Sequence, residues 1–219
     1  MRSTKSLIGT ILFASQGFIS SPAITQERPT APQAVPSSAA DQGDQMKQAV
    51  ELSKTGENHK LLAGLVGTWA YTGKHFPYDT NGKLIEFKGR CVRKALWEGR
   101  YFLAEDTGLK LPMPWADWPE VAAKDIIIDG YDNVKRKFQR AIIDNHWDTG
   151  ILNFEGNYDA VTKTITYDAE LEDTPAVKTK SRWLLKILDN DHYAEELYYN
   201  HDGRLVKGTE MHFRRLKGR

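Results

Sequence analysis

The chain has 219 residues, with 30 Lys and Arg against 29 Asp and Glu, a formal net charge of +1 and a single cysteine. Charge this balanced, mixed along the whole length, argues against nucleic acid as a partner. Cys91 alone leaves no intrachain disulfide to be made, so the fold must rest on its packing.

The first stretch reads as an export address. Arg2 and Lys5 precede an apolar run from Leu7 to Ile19, and Ser20, Ser21, Pro22 and Ala23 follow with small residues at signal-peptidase spacing. The run is shorter than the roughly 20 residues that span a bilayer. Residues 1–23 are therefore expected to be a signal peptide, and no cysteine lies near the site to carry a lipid. The protein is expected to be exported, periplasmic or secreted, without stable membrane insertion after cleavage; an uncleaved anchor is the alternative. Residues 24–44 are rich in Pro, Ala, Ser and Gln, with Pro29, Pro32 and Pro36. That composition buries too little apolar surface to offset its ordering and predicts a disordered linker. Residues 45–219 are one domain's worth of chain.

Two short helical pieces open this domain. Met46, Ala49 and Val50 recur at helical spacing. Then Thr55 can cap a helix whose face carries Leu61, Leu62, Leu65 and Val66, with Gly67 as its stop. After Gly67 the period changes to two. Strand-like runs cover Thr68–Phe76, Lys83–Leu96, Arg100–Leu109, Asp125–Tyr131, Lys137–Ile143, Gly150–Tyr158, Thr164–Glu170, Val177–Leu188, Tyr193–Tyr199 and Leu205–Leu216. Turn-forming Asp, Asn and Gly residues punctuate them. About ten strands without a helix-length crossover predict an all-β, up-and-down antiparallel meander, which tends to close on itself. One connection, residues 111–120, is long and proline-rich and carries Trp115 and Trp118. It reads as a lid, a partner surface or a plug folded into the barrel.

Several of these residues occur together in a known pattern. His59, Lys60, Leu61 and Leu62 leading into Gly67, Thr68 and Trp69 resemble the helix and Gly-x-Trp entry of calycin (lipocalin-like) barrels. The run is more similar to a bacterial family known as a conserved domain of unknown function. That family's turns look like Gly130-Tyr131-Asp132-Asn133, Gly156-Asn157-Tyr158-Asp159 and Thr162-Lys163-Thr164, with Asp202-Gly203, Glu210 and Arg215 in its last hairpin. The resemblance spans His59 to Arg215 and departs from the pattern at Lys110 to Lys124. It implies a calycin-like barrel and no established activity. It also implies that Arg215 lies over the Trp69 indole and closes one end.

Strand phase proposes an interior. Trp69, Tyr71 and His75; Ile85, Phe87 and Cys91; Tyr101 and Leu103; Ile165 and Tyr167; and Trp183 and Leu185 are its candidate lining. Such a lining suits a small apolar or aromatic molecule, unless side chains fill the core completely. Arg140 alternates with Phe138 and Ile142, so it either points inward or lies on the outer face. Inside, it needs a carboxylate such as Glu105, Glu155 or Glu195, or an anionic ligand. None of the six histidines has metal-site spacing, and His59 and His201 are expected to be exposed. By likeness to haem-binding calycins His75 could serve as a haem ligand; by itself it is a polar side chain. No nucleophile elbow, phosphate loop or dinucleotide fingerprint is present, and the adjacent Glu195 and Glu196 face opposite ways. The composition thus favours a binding module with no metal or other cofactor. An isomerase-, cyclase- or hydrolase-like enzyme using the same cavity, or a partner-binding module using residues 111–120, are the alternatives.

Overall fold

The period-two runs become ten antiparallel strands in a computed structural model, which describes residues 39–76, 84–111, 121–145, 150–174 and 176–217. The chain comprises two compact units, residues 1–42 and 43–219. Only the start of helix α1 (Ala39–Leu52) is described in the first unit, so the expected signal segment and most of the linker lie outside the described residues. That helix begins inside the segment read as linker. From Gln42 to Glu51 its residues are exposed, and Lys47–Asp44 and Lys54–Glu51 pairs support its surface at 3.1 and 2.5 Å.

The barrel consists of β1 (Gly67–His75), β2 (Ile85–Leu96), β3 (Tyr101–Leu111), β4 (Val121–Asp132), β5 (Lys137–Asp144), β6 (Leu152–Asp159), β7 (Thr164–Thr174), β8 (Val177–Ile187), β9 (His192–His201) and β10 (Arg204–Arg215). Each strand pairs with its sequence neighbour, and β1 pairs with β10, so the sheet closes without an edge. β3 and β4 run further than the sequence suggested, shortening the Pro/Trp connection. Its tryptophans Trp115 and Trp118 lie outside the described residues.

One end is closed by helix α2 (Glu57–Ala63), and there the sequence reading needs two corrections. The cap is Gly56, not Thr55: its N–H donates to His59 Nδ1 at 3.1 Å. His59 is buried rather than exposed, edge-on to Tyr131 at 5.9 Å. The helix brings Leu62, and the turn after it Leu65, onto the core, and burial lowers the His59 pKa. Trp69 Nε1 donates to the Leu65 carbonyl at 2.9 Å. The Arg215 guanidinium covers the Trp69 ring at 4.1 Å and donates to the Val66 and Gly64 carbonyls at 2.5 and 2.7 Å. Only glycine fits at 67, where φ is +142° and a Cβ would lie 2.5 Å from Arg215 Nη1. Asn133 braces the same end, donating to the Leu52 and Lys54 carbonyls at 2.8 Å each.

Candidate functional site

Inward strand positions near the closed end carry charge. Arg93 on β2, Asp129 on β4, Arg140 on β5 and Glu195 on β9 are each at most 3% exposed. Arg140 Nε and Nη2 grip the two Asp129 oxygens at 2.8 and 3.1 Å, while Nη1 reaches Glu195 at 3.2 Å. Arg93 bridges the same two carboxylates, at 2.9 Å each, and its Nε donates to the Tyr193 hydroxyl at 3.2 Å. Trp183 Nε1 adds a bond to Glu195 at 2.8 Å, and the Tyr167 hydroxyl one to Asp129 at 3.4 Å. The Arg140 guanidinium also lies 4.7 Å from the Tyr167 ring centroid and 5.1 Å from that of Trp183.

Two cations and two anions cancel, and each carboxylate accepts several donors. Burial without partners would be prohibitive, so the quartet is tenable only as a unit. Burial alone would push Asp129 up, but the two guanidiniums outweigh it and hold its pKa below the usual carboxylate value. Both guanidiniums also keep their own protons tightly, because the carboxylates beside them outweigh their burial. Its role is that of a floor tying β2, β4, β5 and β9 together across the interior. Beneath it, Tyr193 stacks on Phe213 at 4.2 Å and meets Trp69 edge-on at 4.7 Å.

The half of the interior beyond this floor, away from α2, is less finished. Phe87, Leu152, Leu171, Leu197 and Met211 point inward by strand phase yet are only half-buried. Next to the floor, Asp106 on β3 faces Cys91 on β2 and Asp125 on β4. It is 5% exposed, and its Oδ1 is buried with no hydrogen-bond partner among the described residues. Burial raises its pKa to about 7, against the lowering effect of the Cys91 thiol and Arg93. The Cys91 thiol and the Tyr71 hydroxyl are pushed up chiefly by burial, so both stay protonated. Asp106 is thus a buried group that can change charge near neutral pH.

The expected lining residues separate accordingly. Tyr71 and Phe87 stand in the mouth half. Arg140, Tyr167 and Trp183 belong to the floor, and Arg140 takes Glu195 of its three proposed carboxylates. Glu105 and Glu155 instead face outward, to Lys94 at 2.8 Å and Lys135 at 2.6 Å. Tyr101 is a correction. It is 38% exposed on the outer wall, edge-on to Trp97 at 5.7 Å and lying across Gly130. Leu103 shares its outward phase, because Phe102, Ala104 and Asp106 occupy the inner one. Both phases of β3 carry apolar residues, and the backbone before it decides: Trp97, Glu98 and Gly99 all have positive φ in a tight turn.

His75 is half-buried with Nδ1 3.0 Å from the Thr209 hydroxyl. The Phe87 ring lies across the neighbouring Gly73, so this wall is filled by side chains rather than shaped as a slot for a macrocycle. The surroundings of His75 do not fit haem. Among the described residues no three His, Cys, Asp or Glu side chains gather as a metal site. Sequence reasoning missed Arg93, Asp106 and Asp129. Arg93 was within reach, two residues from inward Cys91.

Together these features define a small closed β-barrel, plugged at one end by a helix and crossed inside by a neutral ionic floor. The chain belongs to the family described as protein of unknown function DUF1579, whose profile matches residues 54–215. No curated protein matches it. Among solved structures it is similar to Rv2717c from M. tuberculosis, at 16% identity and a TM-score of 0.51 over 75% of this chain and 100% of that one. A DUF3598-family protein of unknown function from Nostoc punctiforme also aligns, at 6% identity and a TM-score of 0.20 over 74% of this chain and 100% of its own.

Proposed function

We propose that this barrel binds one small, largely apolar or aromatic molecule in the mouth half of its interior. The observation that carries this reading is the contrast along each strand. Inward apolar side chains are sealed beside the floor, whereas Phe87, Leu152, Leu171, Leu197 and Met211, in the same phase, keep surface to be covered. Covering it is favourable at about 25 cal/mol per Å², before ordering costs. The calycin-like architecture supports the same reading, since barrels of this kind hold one ligand. Asp106 Oδ1 supplies a polar handle for a donor on the ligand. The basic start and apolar run before Ala23 support export, so the ligand would be met outside the cytoplasm.

Native mass spectrometry of the purified protein tests this. A single small-molecule adduct, released by unfolding and excluded by Leu197→Trp, is the expected result. No adduct, together with no thermal shift across a panel of aromatic and aliphatic compounds, would sink it. A second reading, an isomerase-like enzyme on the same ligand, is favoured by the near-neutral titration of Asp106. Turnover of the identified ligand that disappears in Asp106→Asn, with binding retained, would establish it; unchanged ligand after prolonged incubation would dismiss it.

A further inference from the structure

The outer wall of the barrel carries a feature unrelated to the interior. On β1 the outward residues Ala70 and Thr72 are short. Each is flanked on both neighbouring strands by a long or basic side chain: Ala70 is paired with Arg214 and Arg90, and Thr72 with His212 and Lys88. Short residues between long ones make a trough of about 560 Å³, within the range of small-molecule sites. It continues toward Lys74, Glu86 and Glu210 as a second groove of about 540 Å³.

The two ends of this trough differ in charge. At the far end Lys74 lies 4.0 Å from Glu210, which also holds Lys207 at 3.2 Å. At the near end Lys88, Arg90 and Arg214 make no ion pair among the described residues. Arg90 and Arg214 rise from strands two apart, about 10 Å across the trough, and Lys88 stands one strand repeat along, at roughly 7 Å. These cations lie within about one Debye length and repel one another unless an anion joins them. A single oxyanion at one wall would leave the other uncompensated.

We propose that this trough binds a small molecule carrying two or more linked phosphate groups, with Arg90 and Arg214 gripping from opposite sides and Lys88 neutralising charge further along the Arg90 wall. Guanidiniums suit the role because their planar forks donate two parallel bonds to phosphate oxygens. The site faces outward, so it stands or falls independently of any interior ligand.

Titration calorimetry of the full chain with inorganic tripolyphosphate tests the proposal, with adenosine triphosphate as the organic source of the same group. One saturable site is expected, weakened steeply by added salt. Arg90→Gln/Arg214→Gln should lose at least about tenfold in affinity. Lys137→Gln, which removes a surface cation elsewhere on the barrel, should leave binding unchanged. Competition between the two ligands would show that the linked phosphates are recognised, whichever molecule carries them. Should the glutamine variant fail to melt cooperatively, Arg90→Lys/Arg214→Lys keeps the charge, and weakened binding there reports the lost forks. The proposal is overturned if tripolyphosphate shows no saturable binding up to about 1 mM, where binding is worth only about 4 kcal/mol. It is also overturned if the double variant binds as the parent does. Capture by phosphatidylglycerol vesicles that tripolyphosphate does not displace would assign the patch to a bilayer instead.

Discussion

The two halves of this barrel solve the problem of a polar interior in opposite ways. Beside α2, four buried charges satisfy one another, and indole and phenol donors complete the set. In the mouth half, a buried carboxylate keeps an oxygen without a partner among the described residues, and inward apolar side chains stay half-buried. Completed polar networks rigidify, whereas an unfinished one marks where something else can bind. The quartet also spans the interior, so it holds the walls apart at a set width. Glycines opposite aromatics shape the rest of the mouth: the Phe87 ring covers Gly73 and that of Tyr71 covers Gly89.

The sharpest way to break the comparison is to unbalance the floor. Arg140→Met leaves Asp129 and Glu195 with one guanidinium between them. The expected cost is about 3–5 kcal/mol, read from denaturant unfolding. Adding Asp129→Leu should recover much of it, because the lost stability reflects an uncompensated charge rather than the worth of the pair. A double variant no more stable than the single would show that the floor acts through shape alone.

The mouth should respond to pH instead. The Asp106 pKa is about 7 in the folded chain against 3.8 when unperturbed, so folding takes up a proton between those values. This group therefore costs no stability below about pH 4, a growing amount as pH rises, and its full penalty above about 7. Asp106→Asn removes the charge, so the variant should exceed the parent by up to about 4 kcal/mol at pH 8, at 1.36 kcal/mol per pH unit. The advantage should vanish near pH 4. An advantage independent of pH would mean that the carboxyl does not ionise in the folded state.

How much of this contrast could be read beforehand depends on the residue. Ten strands were legible because Asp, Asn and Gly recur between period-two runs, and Asp132 and Asp159 do hold their turns by accepting backbone N–H bonds. The Trp69–Arg215 closure was legible through resemblance. Arg93, Asp106 and Asp129 were not, since an isolated charge in a strand defaults to the outer face. Strand β4 is also mute about phase, because Ile126, Ile127 and Ile128 are consecutive and only the middle one is buried. Arg140 was ambiguous because Asp129, its partner across the β4–β5 hairpin, was itself not read as inward, and Glu195 comes from a strand distant in sequence. Only register across β2, β4, β5 and β9 brings the four together.

A milder probe of the mouth is its glycine–aromatic fit. A Cβ at Gly73 would lie 2.3–2.8 Å from three atoms of the Phe87 ring. Gly73→Ala should cost roughly 1–3 kcal/mol through overpacking. The clash is with a side chain, so adding Phe87→Ala should relieve it. If the double variant is weaker by the sum of the two single effects, the strain lies in the strand rather than the ring.

The smallest effect tests the closed end, where the contacts of Arg215 overlap. Its guanidinium serves the Gly64 and Val66 carbonyls and the Asn190 carbonyl at 2.8 Å, besides covering Trp69. Truncating it would therefore mix lost hydrogen bonds with lost ring contact. A double-mutant cycle of Arg215→Lys with Trp69→Phe separates them, because the carbonyl bonds cancel in the coupling term. The coupling expected for a guanidinium over indole is about 0.5–2 kcal/mol, toward the upper end because Trp69 is 1% exposed. A coupling near zero would assign the stability of this end to the backbone carbonyls that Arg215 gathers. The Gly-x-Trp entry would then be needed only to let the arginine reach them.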